Sequence, residues 1–482
     1  MGITNWTEAI VFIIYLLFMI GIGLFFFLRS KNGGEKEYFL GGRQMGPWVS
    51  ALSAGASDMS AWVLMGLPAA VYALGLGQIW IPVGLAIGYA LSWIYEAPRL
   101  RAFSIVADDA ITIPQFLTRR FKSKSYSLQV TCAIIFLIAY TIYAASSIKA
   151  AGTLFSTVIG IDANTAMYVA AAIIISYTFL GGFSAVCWTD FFQGMLMLGA
   201  LLIAPIFAAN MLDTNAIAAI AGETEDFYSP FTKWQDIVSG LGWGLGYFGM
   251  PHIIIRFLSV KSQKSIKKSA VIGITWTTLI LVFSTLVGIF GREMLGYDKA
   301  IDENSLVFIT MVRKIFPALV SGILLSAILA ASMSTADSQL LSAASSFSSD
   351  VYKPLIRKNE PSNAEMIWNS RLVVLVIALL ALVLATDPGA GSIMSLVSNA
   401  WGVFGAAFGP VILLSLYWKR LNFTGAAVDI LWLIFLSGTG VYEIIPGFIC
   451  GLVAAIVVAL KTEAPSKEVE ELFDAGVNYS EE

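Results

Sequence analysis

Charge is scarce in this chain. Asp, Glu, Lys and Arg make up only 13% of its 482 residues, where a soluble chain carries about a quarter. So few charges could not clothe a soluble surface of this size. Histidine is reduced to His252 alone, which removes histidine-based metal clusters and Ser-His-Asp catalysis. The three cysteines, Cys132, Cys187 and Cys450, lie far apart and form no CxxC pair, so neither a disulfide framework nor a metal knuckle is indicated. With no catalytic loop acids either, nothing points to an enzyme. The net charge of −3 carries no message about nucleic acid, and neither nucleic acid nor an obligate protein partner is expected.

What is abundant is apolar sequence. Hydrophobic residues make up 57% of the chain and the mean hydropathy is +0.78. They fall in blocks of roughly the 20 residues that cross a bilayer. Thirteen spans can be read: Ala9–Leu28, Gly46–Ala73, Ile79–Tyr95, Leu128–Leu154, Ala163–Leu180, Phe191–Met211, Gln235–Leu258, Ala270–Phe290, Pro317–Ser345, Arg371–Thr386, Ser392–Trp418, Gly425–Ser437 and Val441–Leu460. The first is followed by Arg29 and Lys31 without a small-residue cleavage site, so it is expected to stay as a helix.

Basic residues orient the bundle, because cytoplasmic loops collect Lys and Arg. With the N-terminus outside and the C-terminus inside, most of the 29 basic residues fall on the cytoplasmic side, from Arg29, Lys36 and Arg43 to Arg256, Lys353, Lys419 and Lys461. Lys233, Arg292, Lys299, Arg313 and Lys314 are then external, and Lys149 lies within the fourth span, where it is expected to snorkel outward. The external segment with Asp213, Glu223, Glu225 and Asp226 is expected to be an ordered loop with a short helix, and the polar stretch 461–482 a cytoplasmic tail. Residues 1–460 form one transmembrane domain in this reading.

Two spans are built to break. The second contains SALSAGASDMSAW (Ser50–Trp62), with Asp58 among hydroxylated and small residues; the seventh contains SGLGWGLGYFGMPH (Ser239–His252), with five glycines ahead of Pro251. Glycine costs about 1 kcal/mol and proline about 3 kcal/mol inside a helix, and broken helices survive in lipid only where they line a cavity or are buried in protein. Small residues also simply let helices pack closely, but a carboxylate at mid-membrane usually marks an ion pathway. Interrupted helices at corresponding places in two halves point to an inverted-repeat transporter. Residues 46–211 and 235–418 are the expected repeats. A further polar island on the ninth span, AILAASMSTADSQLL (Ala327–Leu341), puts the Ser334 and Thr335 hydroxyls on adjacent positions. They could bond back to their own helix, or they could join freed carbonyls as oxygen ligands for a hard cation such as sodium. The twelfth span, at about 20 Å by helical rise, is short for a bilayer and carries Asp429.

At LGGR (Leu40–Arg43), LSAGASDMS (Leu52–Ser60), GWGLGYFGMPH (Gly242–His252), GILLSAILAASMST (Gly322–Thr335) and YEIIPGF (Tyr442–Phe448) the chain resembles the sodium/solute symporter family, and within it the sodium/proline symporters. The resemblance runs in order along nearly the whole chain. It implies an all-α integral membrane protein with the LeuT-type 5+5 inverted repeat and about 13 helices. It also implies uptake of L-proline driven by inward sodium flow, in a bacterial inner membrane. Carried over from the family, the sodium ligands are Ala56, Met59, Ala331, Ser334 and Thr335, with Asp58 as the sodium-dependence aspartate. The proline-contacting set is Tyr143, Trp243, Tyr247 and Pro251, and Ser60, Arg43 and Asp190 are further functional candidates. A family member for a sugar, pantothenate or another amino acid is the alternative left open.

Overall fold

The computed structural model describes residues 5–29, 34–180, 182–212, 226–303, 305–357, 360–431 and 440–481. Lys31, Asp213, Glu223, Glu225 and the end of the expected twelfth span lie outside them. Among the described residues there is no strand, only a single parallel bridge between Met45 and Val260. Lipid dictates this: with no water to bond backbone groups, each crossing must satisfy them within its own helix.

In chain order the helices are α1 (Trp6–Arg29), α2 (Glu35–Leu40), α3 (Pro47–Asp58), α4 (Gly66–Leu74), α5 (Trp80–Leu91), α6 (Ala97–Val106), α7 (Ile113–Arg120), α8 (Ser127–Ile159), α9 (Ala163–Leu180), α10 (Phe183–Met211), α11 (Trp234–Gly242), α12 (Pro251–Ser259), α13 (Gln263–Leu295), α14 (Lys299–Glu303), α15 (Val307–Ile315), α16 (Ala318–Ser346), α17 (Asn363–Thr386), α18 (Ile393–Tyr417), α19 (Phe423–Leu431), α20 (Ile444–Lys461) and α21 (Lys467–Val477). Among the described residues nine helical stretches are long and apolar enough to cross a bilayer. The second and seventh spans are each split in two, as α3/α4 and α11/α12.

Helix α16 is the central post. From Leu324 to Leu341 every residue is buried, hydroxyls included, because α1, α3, α8, α10 and α17 surround it. The inner ends of the two split spans are tied to each other. Met45 N–H donates to Ser259 O (3.1 Å) and Lys261 N–H to Met45 O (3.1 Å). Arg43, at φ +57°, donates to Leu258 O (2.8 Å), Ala110 O (2.9 Å) and Asp109 Oδ1 (2.9 Å).

One expectation changes. Helix α10 starts at Phe183, not near Phe191, because Thr189, Asp190 and Gln193 face the protein core rather than ending the helix. Lys149 Nζ donates to an exposed partner, Gly391 O, in the loop before α18. The tail packs back onto the bundle. Val469, Leu472, Phe473 and Gly476 make one buried stripe on α21, and Phe473 packs edge-on against Phe103 (5.4 Å between centroids).

Candidate functional site: two helix breaks joined at mid-membrane

Helix α3 stops at Asp58 because Met59 (φ −75°, ψ 70°) and Ser60 (φ −66°, ψ −173°) leave helical conformation. The bookkeeping of hydrogen bonds then shifts. Ser60 N–H, which in a helix would serve Ala56 O, donates to Asp58 O instead (2.8 Å), and Val63 N–H donates to Ser60 O (3.1 Å). The carbonyls of Ala56 and Met59 thus lose their usual helical donors. Ala56 O is met by Ser334 Oγ–H from α16 at 2.8 Å, and the same hydroxyl lies 3.2 Å from Ala331 O. Thr335 Oγ1, on the next residue, is buried with no hydrogen-bond partner. Ala56, Ala331 and Ser334 are therefore brought together, with Thr335 the next residue on α16 and Met59 at the adjoining break. Several neutral oxygens at one junction suit a hard monovalent cation, since hard cations take oxygen ligands.

The second break is built differently. Helix α11 continues as a 3₁₀ turn through Trp243–Phe248, Gly249 and Met250 leave the helix, and Pro251 opens α12. Glycine is required here for close approach: a Cβ on Gly244 would lie 2.3 Å from Gly84 O of α5, and one on Gly246 would lie 2.0 Å from the Trp401 ring nitrogen of α18.

Asp58 joins the two breaks. It is fully buried, and Tyr247 OH donates to its Oδ2 at 2.5 Å, while Oδ1 has no partner. Tyr247, expected from the resemblance at the solute, gives its hydroxyl to Asp58. Its ring packs edge-on against Trp401 (5.2 Å) and Tyr89 (5.1 Å). Trp243 stacks on Tyr442 (5.1 Å, 29°) and lies near Trp62 (6.4 Å) and Trp401 (6.2 Å). Tyr143 reaches in from α8, its ring 6.0 Å from that of His252. Tyr143 OH and His252 Nε2 are buried without partners. An unpaired buried polar group costs roughly 1–3 kcal/mol, and Asp58 Oδ1, Tyr143 OH, His252 Nε2 and Thr335 Oγ1 are such groups around the two breaks. Ser60 sits at the first break, its Oγ accepting from Trp62 N–H (3.4 Å).

One turn further along, a buried ion pair holds four helices. Arg256 of α12 donates to Asp190 Oδ2 of α10 (3.1 Å), to Ser338 Oγ of α16 (2.5 Å) and to Ser53 Oγ of α3 (3.1 Å), and Ser53 Oγ–H donates to Asp190 (2.6 Å). Arg256 is 1% exposed; it is not the cytoplasmic-loop charge that sequence suggested. Its signal was Asp190 itself, a carboxylate within a helix that must find a partner. Arg43 stands apart from this site, at the inner clamp.

The sodium:solute symporter family profile matches residues 38–432. Among curated proteins the chain is similar to the Bacillus subtilis osmoregulated proline transporter OpuE, 41% identical over 95% of this chain and 96% of that protein. It is similar also to a Staphylococcus aureus sodium/proline symporter, 40% identical over 97% and 95%. Among solved structures it resembles a Na+-coupled sialic acid symporter in a substrate-bound outward-open state, with TM-score 0.77 at 20% identity over 96% of this chain and 99% of that one. Mhp1, a nucleobase-cation-symport-1 family transporter, follows at TM-score 0.58 and 15% identity over 91% and 98%. The LeuT-type architecture is thus the fold of this chain. From its motifs, its paired helix breaks and these likenesses, the chain belongs to the sodium:solute symporter family.

Proposed function

We propose that this chain takes up L-proline across a bacterial cytoplasmic membrane by sodium symport, with sodium seated among Ala56 O, Met59 O, Ala331 O, Ser334 Oγ and Thr335 Oγ1. The observation that carries this reading is the Ser334–Ala56 hydrogen bond at 2.8 Å, where a carbonyl freed by a helix break meets a hydroxyl from a second helix. The proline assignment rests on relatives named as proline transporters at about 40% identity along nearly the whole chain. It is also supported by aromatic walls suited to a small apolar ring, with helix-end dipoles for its charged groups.

A cation shared by the first break and α16 orders Met59 and Ser60. Asp58 passes that order to the second break through Tyr247, and Trp243 lies one helical turn from Tyr247. Sodium then raises proline affinity, and by thermodynamic reciprocity proline raises sodium affinity by the same factor. Each sodium moved inward gains about 2.3 kcal/mol per 100 mV of membrane potential. Release occurs as residues 46–106 and 235–295, the first two spans of each proposed repeat (46–211 and 235–418), rock against the remainder. Proteoliposomes loaded without sodium should accumulate labelled proline when sodium is applied outside and not when choline replaces it. Equal uptake in both would refute sodium coupling, and uptake of another solute in place of proline would move the substrate.

A further inference from the structure

We propose that Tyr442, which lies outside both repeats, is the outer lid residue of the solute site, closing against Trp243. This rests on the symport reading above for what lies beneath the lid. Tyr442 lies two residues before the start of α20 and makes three anchored contacts. Its ring stacks on Trp243 at 5.1 Å and 29°, its hydroxyl donates to Ser398 O of α18 at 2.6 Å, and its backbone N–H donates to Ser239 Oγ of α11 at 3.0 Å.

Layering gives the contacts their meaning. Trp62, Trp243 and Trp401 are buried, at 2%, 6% and 1% exposure, whereas Tyr442 is only half-buried. All four aromatics come from the half of the molecule that the charge pattern assigns to the outside. Trp62 follows the break of its span, Trp243 precedes the break of its own, and Trp401 and Tyr442 lie near the outer ends of theirs. Below them sit Tyr247 and Asp58 with its unpartnered Oδ1. Tyr442 is therefore the last ring between this site and the exterior.

The partners also fall on two bodies. Ser239 and Trp243 belong to the seventh span, which moves in the rocking scheme, while Ser398 and Tyr442 itself belong to the part it moves against. Outward opening must separate the Trp243–Tyr442 stack and the Ser239 bond, and closure over a solute must remake them. Trp401 Nε1–H donates to Trp243 O (2.8 Å) across the same boundary, so outward opening must part that bond as well. Tyr442 is a positioning residue in this scheme.

The test uses the full chain in two assays. In the first, Ser60→Cys on a Cys450→Ser background places a thiol under the lid, and labelling by a membrane-impermeant maleimide from outside is timed. Adding Tyr442→Ala should speed labelling about fivefold or more, and Tyr442→Phe, which keeps the ring and loses only the Ser398 bond, should speed it less. In the second, Tyr442→Ala alone should raise the proline KM about tenfold while half-saturating sodium stays within about twofold, the split expected when only solute contacts change. Unchanged labelling with an unchanged proline KM overturns the lid, as does an equal rise for proline and sodium. If the unaltered chain shows no sodium-dependent proline uptake, the symport reading falls while the labelling rates still decide the lid. If Tyr442→Ala does not fold, Tyr442→Phe must still show faster labelling, or the proposal fails.

Discussion

The second and seventh spans, which open the two proposed repeats, break for different reasons and offer different surfaces. The second breaks amid serines and alanines, so its freed Ala56 carbonyl meets a hydroxyl on α16. The seventh breaks through five glycines and a proline, and its thin backbone lets α5 and α18 close in until it is walled by Trp62, Trp401, Tyr89 and Tyr442. One break presents oxygen, the other carbon. In the proposed scheme the first break is the ion seat and the second the solute seat, and a single tyrosine–carboxylate bond, Tyr247 to Asp58, joins them.

The largest effect is expected where both breaks share one support. Arg256→Ala leaves Asp190 buried and unpaired among Ser53 and Ser338, and breaking a buried pair from one side typically costs about 3–5 kcal/mol. A steep fall in thermal stability in detergent should follow, and a melting point equal to that of the unaltered protein would show that the breaks do not depend on this pair. Next comes the ion seat. Ser334→Ala removes the donor to Ala56 O, at about 1–3 kcal/mol for an orphaned buried acceptor, and should raise half-saturating sodium about tenfold or more while proline binding at saturating sodium changes little. The solute seat should answer the other way. Trp243→Ala forfeits aromatic contact of about 0.5–1.5 kcal/mol beyond burial, raising the proline KM several-fold with sodium activation kept; if both variants shift sodium and proline alike, the division of labour between the breaks is wrong.

The smallest effect concerns the clamp that pins the inner ends of both spans. Burial pushes the Asp109 carboxyl up, but Lys36 and Arg43 outweigh it and hold it below the usual carboxylate range. A lowered folded value means the stabilisation is fully present above the ordinary carboxylate pKa of about 3.9 and is lost as pH falls through the folded one. Asp109 is 43% exposed, so the effect belongs with exposed pairs, at about 0–1 kcal/mol. Melting curves of the unaltered chain and Asp109→Asn should differ slightly at neutral pH and converge in acid; a difference that grows in acid would reverse the sign and remove Asp109 from the clamp.

Both breaks were legible in the chain, because glycine, proline and a mid-span carboxylate violate helix propensity in ways no neighbour can hide. The Ser334–Thr335 pair was legible only as an ambiguity, since a hydroxyl that back-bonds and one that reaches another helix look alike until the partner carbonyl is known. Arg256 and the first turns of α10 were misread for one reason: averaged over a window, polar residues that satisfy each other inside resemble a loop outside. The partner of Lys149 was not legible either, Gly391 being far off in sequence. The stripe Val469, Leu472, Phe473 and Gly476 carries a helical period that the tail's polar composition masked. Tyr442 stood in a quoted motif, yet nothing local says which ring it covers.

In the proposed mechanism, oxygens freed by the first break, together with the α16 hydroxyls, hold the ion that tightens the second break on its solute. Equilibrium binding of labelled proline to purified protein, with and without sodium, should show proline affinity rising with sodium in the unaltered chain and staying flat when Ser334→Ala and Thr335→Ala are combined. An undiminished response to sodium in that double variant would contradict the account.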